Sequence, residues 1–111
     1  MKIVPNNIIP FPGFLAINLF GVLFVRKARV GKITEVTINH ESIHTAQMKE
    51  LLYVGFYIIY FFEWLFNLVF HTKEAYERIS FEREAYQYEK DFEYLKTRKH
   101  YAQWDKTITK R

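Results

Sequence analysis

The stretch that most constrains this 111-residue chain is His40-Glu41-Ser42-Ile43-His44. Residues four apart lie one turn apart on the same face of a helix, so His40 and His44 can bind one metal ion together. Two neutral imidazoles bind Zn²⁺ well and leave room for a third protein ligand and a water molecule. Glu41 lies about 100° around the helix from His40, within reach of that water as a general base. The stretch therefore predicts a metal-binding helix.

The residues around the motif continue the same helix. One helical face would contain Val36, His40, His44, Gln47 and Leu51. We predict a helix over residues 35–52, with Thr34 as its N-cap. The alternative is that the two histidines and the glutamate merely lie along a solvated helix, which is a known false positive of this motif.

Length and composition indicate one folded domain. A chain of 111 residues can bury a single modest core. Half of the residues are hydrophobic and 19% are aromatic, which excludes a disordered protein. There are no cysteines, so disulfides and a cysteine-ligated zinc site are excluded as well.

The net charge and the N-terminal stretch constrain the partners and the localisation only weakly. A net charge of +4 favours anionic surfaces only weakly. The basic segments 26–32 and 96–111 would suit a membrane surface, although an ordinary solvated terminus is the simpler interpretation, and no motif predicts nucleic-acid binding. No secretory signal is evident, because prolines interrupt the first apolar stretch. The compartment stays open between the cytoplasm and a membrane surface.

The N-terminal quarter of the chain predicts a short β-hairpin. Two prolines and two glycines argue against a continuous helix there, whereas residues 14–17 and 22–25 have the composition of short strands. We expect the turn near residues 18–21 and a basic loop at residues 26–32.

Residues 51–70 predict an apolar helix with two possible settings. One charge and one amide in twenty residues meet the composition of a transmembrane helix. Membrane helices usually collect tyrosine and tryptophan at their ends, but here a semi-polar stripe runs through the middle, at Tyr53, Tyr57, Tyr60, Trp64 and Asn67. A core helix and a membrane-associated helix both stay open, and in either setting Glu63 needs a partner.

Residues 73–99 predict a long charged helix that carries the third metal ligand. Its core stripe would contain Phe81, Ala85, Tyr88, Phe92 and Leu95. Glu82 projects between two apolar faces and needs a cation, so we predict it as the third ligand. Glu84 is the second candidate, on a flank that looks solvated, and pairing of Glu82 with Arg78 is the alternative. The predicted fold is α+β and mostly helical, a β-hairpin followed by three helices.

Together with Phe81-Glu82-Arg83-Glu84-Ala85, the first motif resembles the gluzincin class of zinc metallopeptidases, especially its minimal single-domain members. The resemblance covers about residues 34–90 and implies a zincin-like metallopeptidase domain over residues 1–111. It implies Zn²⁺ on His40, His44 and Glu82, Glu41 as general base, and a peptide or protein substrate that adds as a strand to the hairpin edge.

The resemblance leaves two matters open. Tyr86 stands where the class often has an aspartate that supports a ligand histidine. The donor that would stabilise an oxyanion is also unassigned, with Tyr86, Tyr88 and His71 as candidates. Two other functions stay open: a catalytically inactive binding or regulatory module with the same fold, and a small membrane protein in which the motif is incidental.

Overall fold

The computed structural model describes residues 1–9, 15–71, 76, 78–106 and 108, with residue 71 described for its backbone only. The predicted α+β class is confirmed: a small N-terminal sheet is followed by helices. The strands are β1 (Lys2–Asn6), β2 (Ala16–Leu19) and β3 (Val22–Arg26). The helices are α1 (Glu35–Glu50), α2 (Val54–His71), α3 (Ser80–Tyr88) and α4 (Tyr94–Thr97), with 3₁₀ helices at Lys27–Lys32 and Ala102–Trp104.

The sheet has the strand order β1-β3-β2. The predicted hairpin is formed by β2 and β3, which pair antiparallel with Ile17 opposite Phe24. Strand β1 was not predicted and pairs parallel to β3, with Pro5 opposite Val25. Proline lacks an N–H, so it is tolerated in a strand at the edge of a sheet, which is where β1 lies.

The hairpin turn lies at Phe20 and Gly21, within the predicted residues 18–21. Both have positive φ, 53° and 89°, which are the backbone angles of a two-residue type I′ turn. A Cβ atom on Gly21 would lie 3.2 Å from Cγ2 of Thr45 in α1. Glycine therefore both permits the turn and lets the hairpin approach the motif helix. The first strand of the hairpin, β2, begins at Ala16, later than predicted, and residue 14 lies outside the described residues.

Helix α1 begins as predicted and ends two residues early. The Thr34 side chain accepts a hydrogen bond from the backbone N–H of Thr37, and the Thr37 hydroxyl accepts one from the N–H of Thr34. This reciprocal pair satisfies two of the N–H groups at the helix start. Leu52 and Tyr53 then adopt left-handed φ values of 55° and 62°. The chain turns there, and α1 and α2 meet at 110°.

Helix α2 is less buried than a core helix. Over Val54–Phe70 only Phe56 and Asn67 are buried. The core-helix interpretation is therefore wrong for most of its surface. Within the described part of the chain, no helix on its own has the length and hydropathy of a membrane span, and α1 and α2 meet that criterion only as a bent pair.

The predicted single helix over residues 73–99 is wrong, since this segment contains the separate helices α3 and α4. Both ends of α3 are set by side chains from other helices. Glu63 of α2 accepts hydrogen bonds from the N–H and the hydroxyl of Ser80, at 3.1 and 2.6 Å. The Asn39 amide of α1 donates to the carbonyls of Tyr88, Glu89 and Asp91. These bonds tie the end of α3 to α1 and satisfy carbonyls where the α-helical pattern stops.

The core lies where α1, α2 and α3 meet. Phe81 of α3 is fully buried and belongs to a cluster with Met48, Phe56 and Ile79. Ala85 is fully buried too, as predicted, whereas Phe92 and Leu95 from the predicted stripe are exposed. The stripe fails beyond Tyr88 because the helix that would align its residues ends there.

Candidate metal centre

The side chains of His40, His44 and Glu82 converge on one point. Their nearest ligand atoms all lie within 4.8 Å of one another, and all three residues are buried. The two Nε2 atoms are 3.2 Å apart, and Oε1 of Glu82 lies 3.2 Å from that of His40 and 2.9 Å from that of His44. Helix α1 supplies the histidines from one face, and the first turn of α3 supplies the carboxylate.

The other ring nitrogen of each histidine faces an acceptor. His40 Nδ1 lies 2.9 Å from Oε1 of Glu89, and His44 Nδ1 lies 2.8 Å from Oε1 of Gln47. The Gln47 amide nitrogen donates to the Phe81 carbonyl and to Glu84, which fixes the orientation of the amide. These acceptors favour a proton on Nδ1 of each ring and direct Nε2 toward Glu82, where Nε2 can bind a metal ion in place of a proton.

The electrostatics of the site call for a positive charge at its centre. Burial lowers the pKa of His44, but the carboxylate of Glu82, assisted by Glu41 and Gln47, raises it overall to about 9. Burial raises the pKa of Glu82, and its contacts with the two histidines outweigh that effect and hold the pKa far below the ordinary value. A buried set of two imidazoles and one carboxylate fits Zn²⁺, which can supply that charge in place of the proton on His44.

Glu84, the second candidate ligand, belongs to a different cluster. Its side chain is fully buried, so the expectation of a solvated flank is wrong. It accepts hydrogen bonds from Arg98, including one of 3.0 Å from Nη2, and from the hydroxyl of Tyr94. Burial lowers the pKa of Arg98, yet the charges of Glu84 and Glu50 raise it overall. The cluster is a buried ion pair behind the site.

A cavity of about 250 Å³ lies beside the three converging side chains, and Glu41 is on its wall next to His44 and Glu82. Strand β2 forms another wall with Ala16, Ile17 and Asn18, and α2 contributes Phe56, Tyr57 and Tyr60. The amide of Asn18 donates to the Glu41 carbonyl at 2.9 Å, which joins the edge strand to the motif helix. The general-base candidate Glu41 and the edge of strand β2 therefore line the same cavity.

The tyrosines on this cavity differ from those that the sequence suggested. The Tyr86 ring packs edge-on against His40, with centroids 4.7 Å apart, and Tyr88 stacks on Tyr94. The side chain of His71 lies outside the described part of the chain. The described tyrosines that line the cavity are Tyr57, Tyr60 and Tyr76.

Tyr60 and Tyr57 are bound into the site in different ways. The Tyr60 hydroxyl donates to Oε2 of Glu82 at 2.7 Å, so it holds the oxygen that does not face the histidines. The Tyr57 hydroxyl donates to the Asn18 carbonyl and accepts from the N–H of Phe20, both at 3.0 Å. The sequence already placed these two tyrosines on the semi-polar stripe of the apolar helix. The stripe alone does not predict which segments of the protein it contacts.

Glu89 was missed by reasoning from the sequence. It supports His40 from just beyond the end of α3, three positions after Tyr86. Its carboxylate accepts from His40 Nδ1 and so fixes the orientation of that ring.

Comparisons with protein-family models, with curated proteins and with solved structures found no match.

Proposed function

We propose that this chain is a zinc-dependent peptidase in which His40, His44 and Glu82 hold the metal and Glu41 transfers the proton. One observation supports this most strongly: three buried ligand atoms lie within 4.8 Å while both histidine Nδ1 atoms face acceptors. Imidazoles oriented in this way present their Nε2 lone pairs to one ion. A solvated helix with incidental histidines would have neither a carboxylate as third ligand nor the supporting acceptors.

Zinc held by two imidazoles and a carboxylate supplies Lewis acidity, which polarises a carbonyl group and acidifies a water molecule. The residues of the chain supply the rest. Glu41 lines the cavity beside His44, where its carboxylate can accept a proton from water and pass it to the leaving amine. The buried hydroxyl of Tyr60 keeps Glu82 oriented by its bond to Oε2.

Strand β2 offers a way to orient an extended peptide. In a two-residue hairpin the residues flanking the turn form a hydrogen-bonded pair, so Leu19 pairs with Val22 and the next residue, Asn18, turns its backbone groups outward. The bond from the Tyr57 hydroxyl to the Asn18 carbonyl agrees with this orientation. Ala16 has the same orientation as Asn18 and lines the cavity. A peptide would hydrogen-bond to the strand at Ala16, since the Asn18 carbonyl already accepts from Tyr57.

The experiment that tests the metal site is elemental analysis of the purified full chain. We expect roughly one zinc ion per wild-type chain, as in other sites with three protein ligands and water, and loss of zinc in His44→Ala and Glu82→Gln. The matched controls are His100→Ala, whose side chain is 90% exposed, and Glu93→Gln, whose side chain is 73% exposed. A wild-type protein that stays free of zinc after reconstitution would rule out the proposal.

The second experiment separates catalysis from metal binding. Hydrolysis of casein and of a mixed peptide library is measured for the wild type and for Glu41→Gln. We expect Glu41→Gln to keep its zinc and to lose at least a hundredfold in rate, since general-base catalysis contributes about 10²–10⁴-fold. A zinc-loaded wild type that hydrolyses neither probe would favour the metal-binding module over the peptidase.

A further inference from the structure

The outer face of α2 is hydrophobic without interruption. Between Val54 and Phe70, every exposed position that the structure describes carries a large hydrophobic side chain. These positions are Val54, Ile58, Phe61, Phe62, Trp64, Leu65, Phe66, Leu68, Val69 and Phe70. The described polar side chains of the helix are bound within the protein: Tyr57, Tyr60 and Glu63 bond to the sheet or to α3, and Asn67 is buried.

This face is too large and too wide for an ordinary monomer surface. At 100° per residue, the exposed side chains cover about 240° of the helix circumference over a length of about 25 Å. Their exposed area is on the order of 1,000 Å², whereas the largest apolar patch of a typical soluble monomer is about 300–600 Å². Such a face needs an apolar environment.

Two turns near the start of α2 expose further large hydrophobic side chains. Phe20, at the hairpin tip, is 59% exposed, and Leu52, just before α2, is 83% exposed. Phe20 packs against the rings of Tyr53 and Tyr57, which places the hairpin tip beside this end of the helix. Both Phe20 and Leu52 have positive φ, where bulky residues are disfavoured and glycine or asparagine is usual. Exposed apolar residues in strained turns indicate a function other than stability.

We propose that α2 and these two turns insert into the hydrocarbon region of one leaflet of a phospholipid bilayer. Lipid chains can surround 240° of a helix, whereas a folded partner covers one side and usually meets a polar rim. Among the exposed side chains of this face, only Trp64 carries a hydrogen-bonding group, its indole N–H. The tyrosines in the middle of the helix do not oppose insertion, because Tyr57 and Tyr60 bond within the protein instead of facing lipid.

Vesicle flotation of the full chain tests this docking surface. The protein is purified in detergent, mixed with phosphatidylcholine vesicles, freed of detergent and centrifuged in a sucrose gradient. We expect the wild type to float with the vesicles in 1 M NaCl, because the face is uncharged. The double variant Phe62→Glu, Val69→Glu should float at least tenfold less.

The matched control is Phe92→Glu, Val30→Glu, which makes the same two changes at exposed positions of other segments. It should float like the wild type. Circular dichroism checks that both variants keep their helices. As an independent measurement, brominated phosphatidylcholine should quench the fluorescence of Trp64 in a Trp104→Phe protein.

Two results would overturn the proposal. One is a wild type that stays at the bottom of the gradient as a monomer in detergent-free buffer. The other is a wild type that does not float but forms a dimer, which the change at Phe62 and Val69 dissociates, since the face would then be covered by a second copy. Flotation does not depend on the metal, so His44→Ala should float normally. Failure of the peptidase proposal is therefore distinguishable from failure of this one.

Discussion

Oε1 of Glu89 lies 2.9 Å from Nδ1 of His40, although the two residues are 49 positions apart. This contact holds the Nδ1 edge of the His40 ring, so that Nε2 on the opposite edge faces His44 and Glu82. The corresponding acceptor for His44 comes from its own helix, at Gln47. Each predicted histidine ligand is therefore supported by a separate neighbour, and these neighbours can be tested without touching the ligands.

Removing the support behind His40 should weaken metal binding while leaving the fold intact. We expect Glu89→Ala to lower zinc affinity about 10–100-fold, the usual effect of losing such an outer partner. Glu89→Gln, which keeps an acceptor oxygen, should lose less. Competition with a chelating dye measures the affinity, and Glu93→Gln is the matched exposed control. Equal affinity in Glu89→Ala and wild type would show that this contact does not orient the ring.

Zinc affinity should increase with pH up to about pH 9. His44 must be neutral to bind the metal, and in the metal-free protein its pKa is raised to about 9 by Glu82. Zinc therefore displaces a proton from His44 at neutral pH, and the apparent affinity should rise by about tenfold per pH unit until that proton is gone. Calorimetry in buffers of different ionisation enthalpy counts the released proton. An affinity independent of pH between 7 and 9 would contradict this assignment.

The buried ion pair of Glu84 and Arg98 should make a large difference to stability. Arg98→Met leaves the carboxylate of Glu84, whose side chain is 0% exposed, without its cation. We expect a loss of about 3–5 kcal/mol in the free energy of unfolding, as for other buried pairs that lose one partner. Urea denaturation of the metal-loaded protein measures it.

The matched control for this change is Lys96→Met. Lys96 pairs with Glu93 on the surface, where both side chains are more than 70% exposed, so the loss should be below about 1 kcal/mol. Similar losses in the two variants would mean that the buried pair stabilises the fold no more than a solvated one.

The hairpin turn should tolerate no side chain at Gly21. Gly21→Ala would place a Cβ atom 3.2 Å from Thr45 at a φ of 89°, so we expect about 1–2 kcal/mol of destabilisation. Gly31→Ala is the control, because its Cβ would meet nothing within 4 Å, and its effect should be neutral or slightly stabilising. Thermal unfolding of both proteins measures the difference. A fully stable Gly21→Ala protein would contradict the turn geometry.

Local patterns in the sequence were enough for several elements. Thr34 was predicted as the N-cap of the motif helix, and it is. The turn was expected at residues 18–21, and it lies at Phe20 and Gly21. The position of residue 82 between two apolar faces favours it over residue 84 as a ligand, and Glu82 does lie beside both histidines. Its role as a metal ligand stays a prediction.

Other features could not be read from the sequence. Strand β1 was missed because its hydrogen bonds come from β3, about 20 residues later. The periodicity that predicted one helix over residues 73–99 takes no account of Asn39, which binds the carbonyls at the end of α3. Glu84 looked solvated because Arg98, its partner, is 14 residues away.

The sequence by itself determined what depends on residues within one or two turns of each other: the spacing of His40 and His44, the capped start of their helix, and the hairpin turn. Tertiary structure decided which carboxylates meet those histidines, where α3 ends, and which side of α2 is left exposed. The reason is physical. Backbone angles, caps and side-chain periodicity are local, whereas the burial of a charge and the partner that compensates it depend on segments brought together from distant parts of the chain.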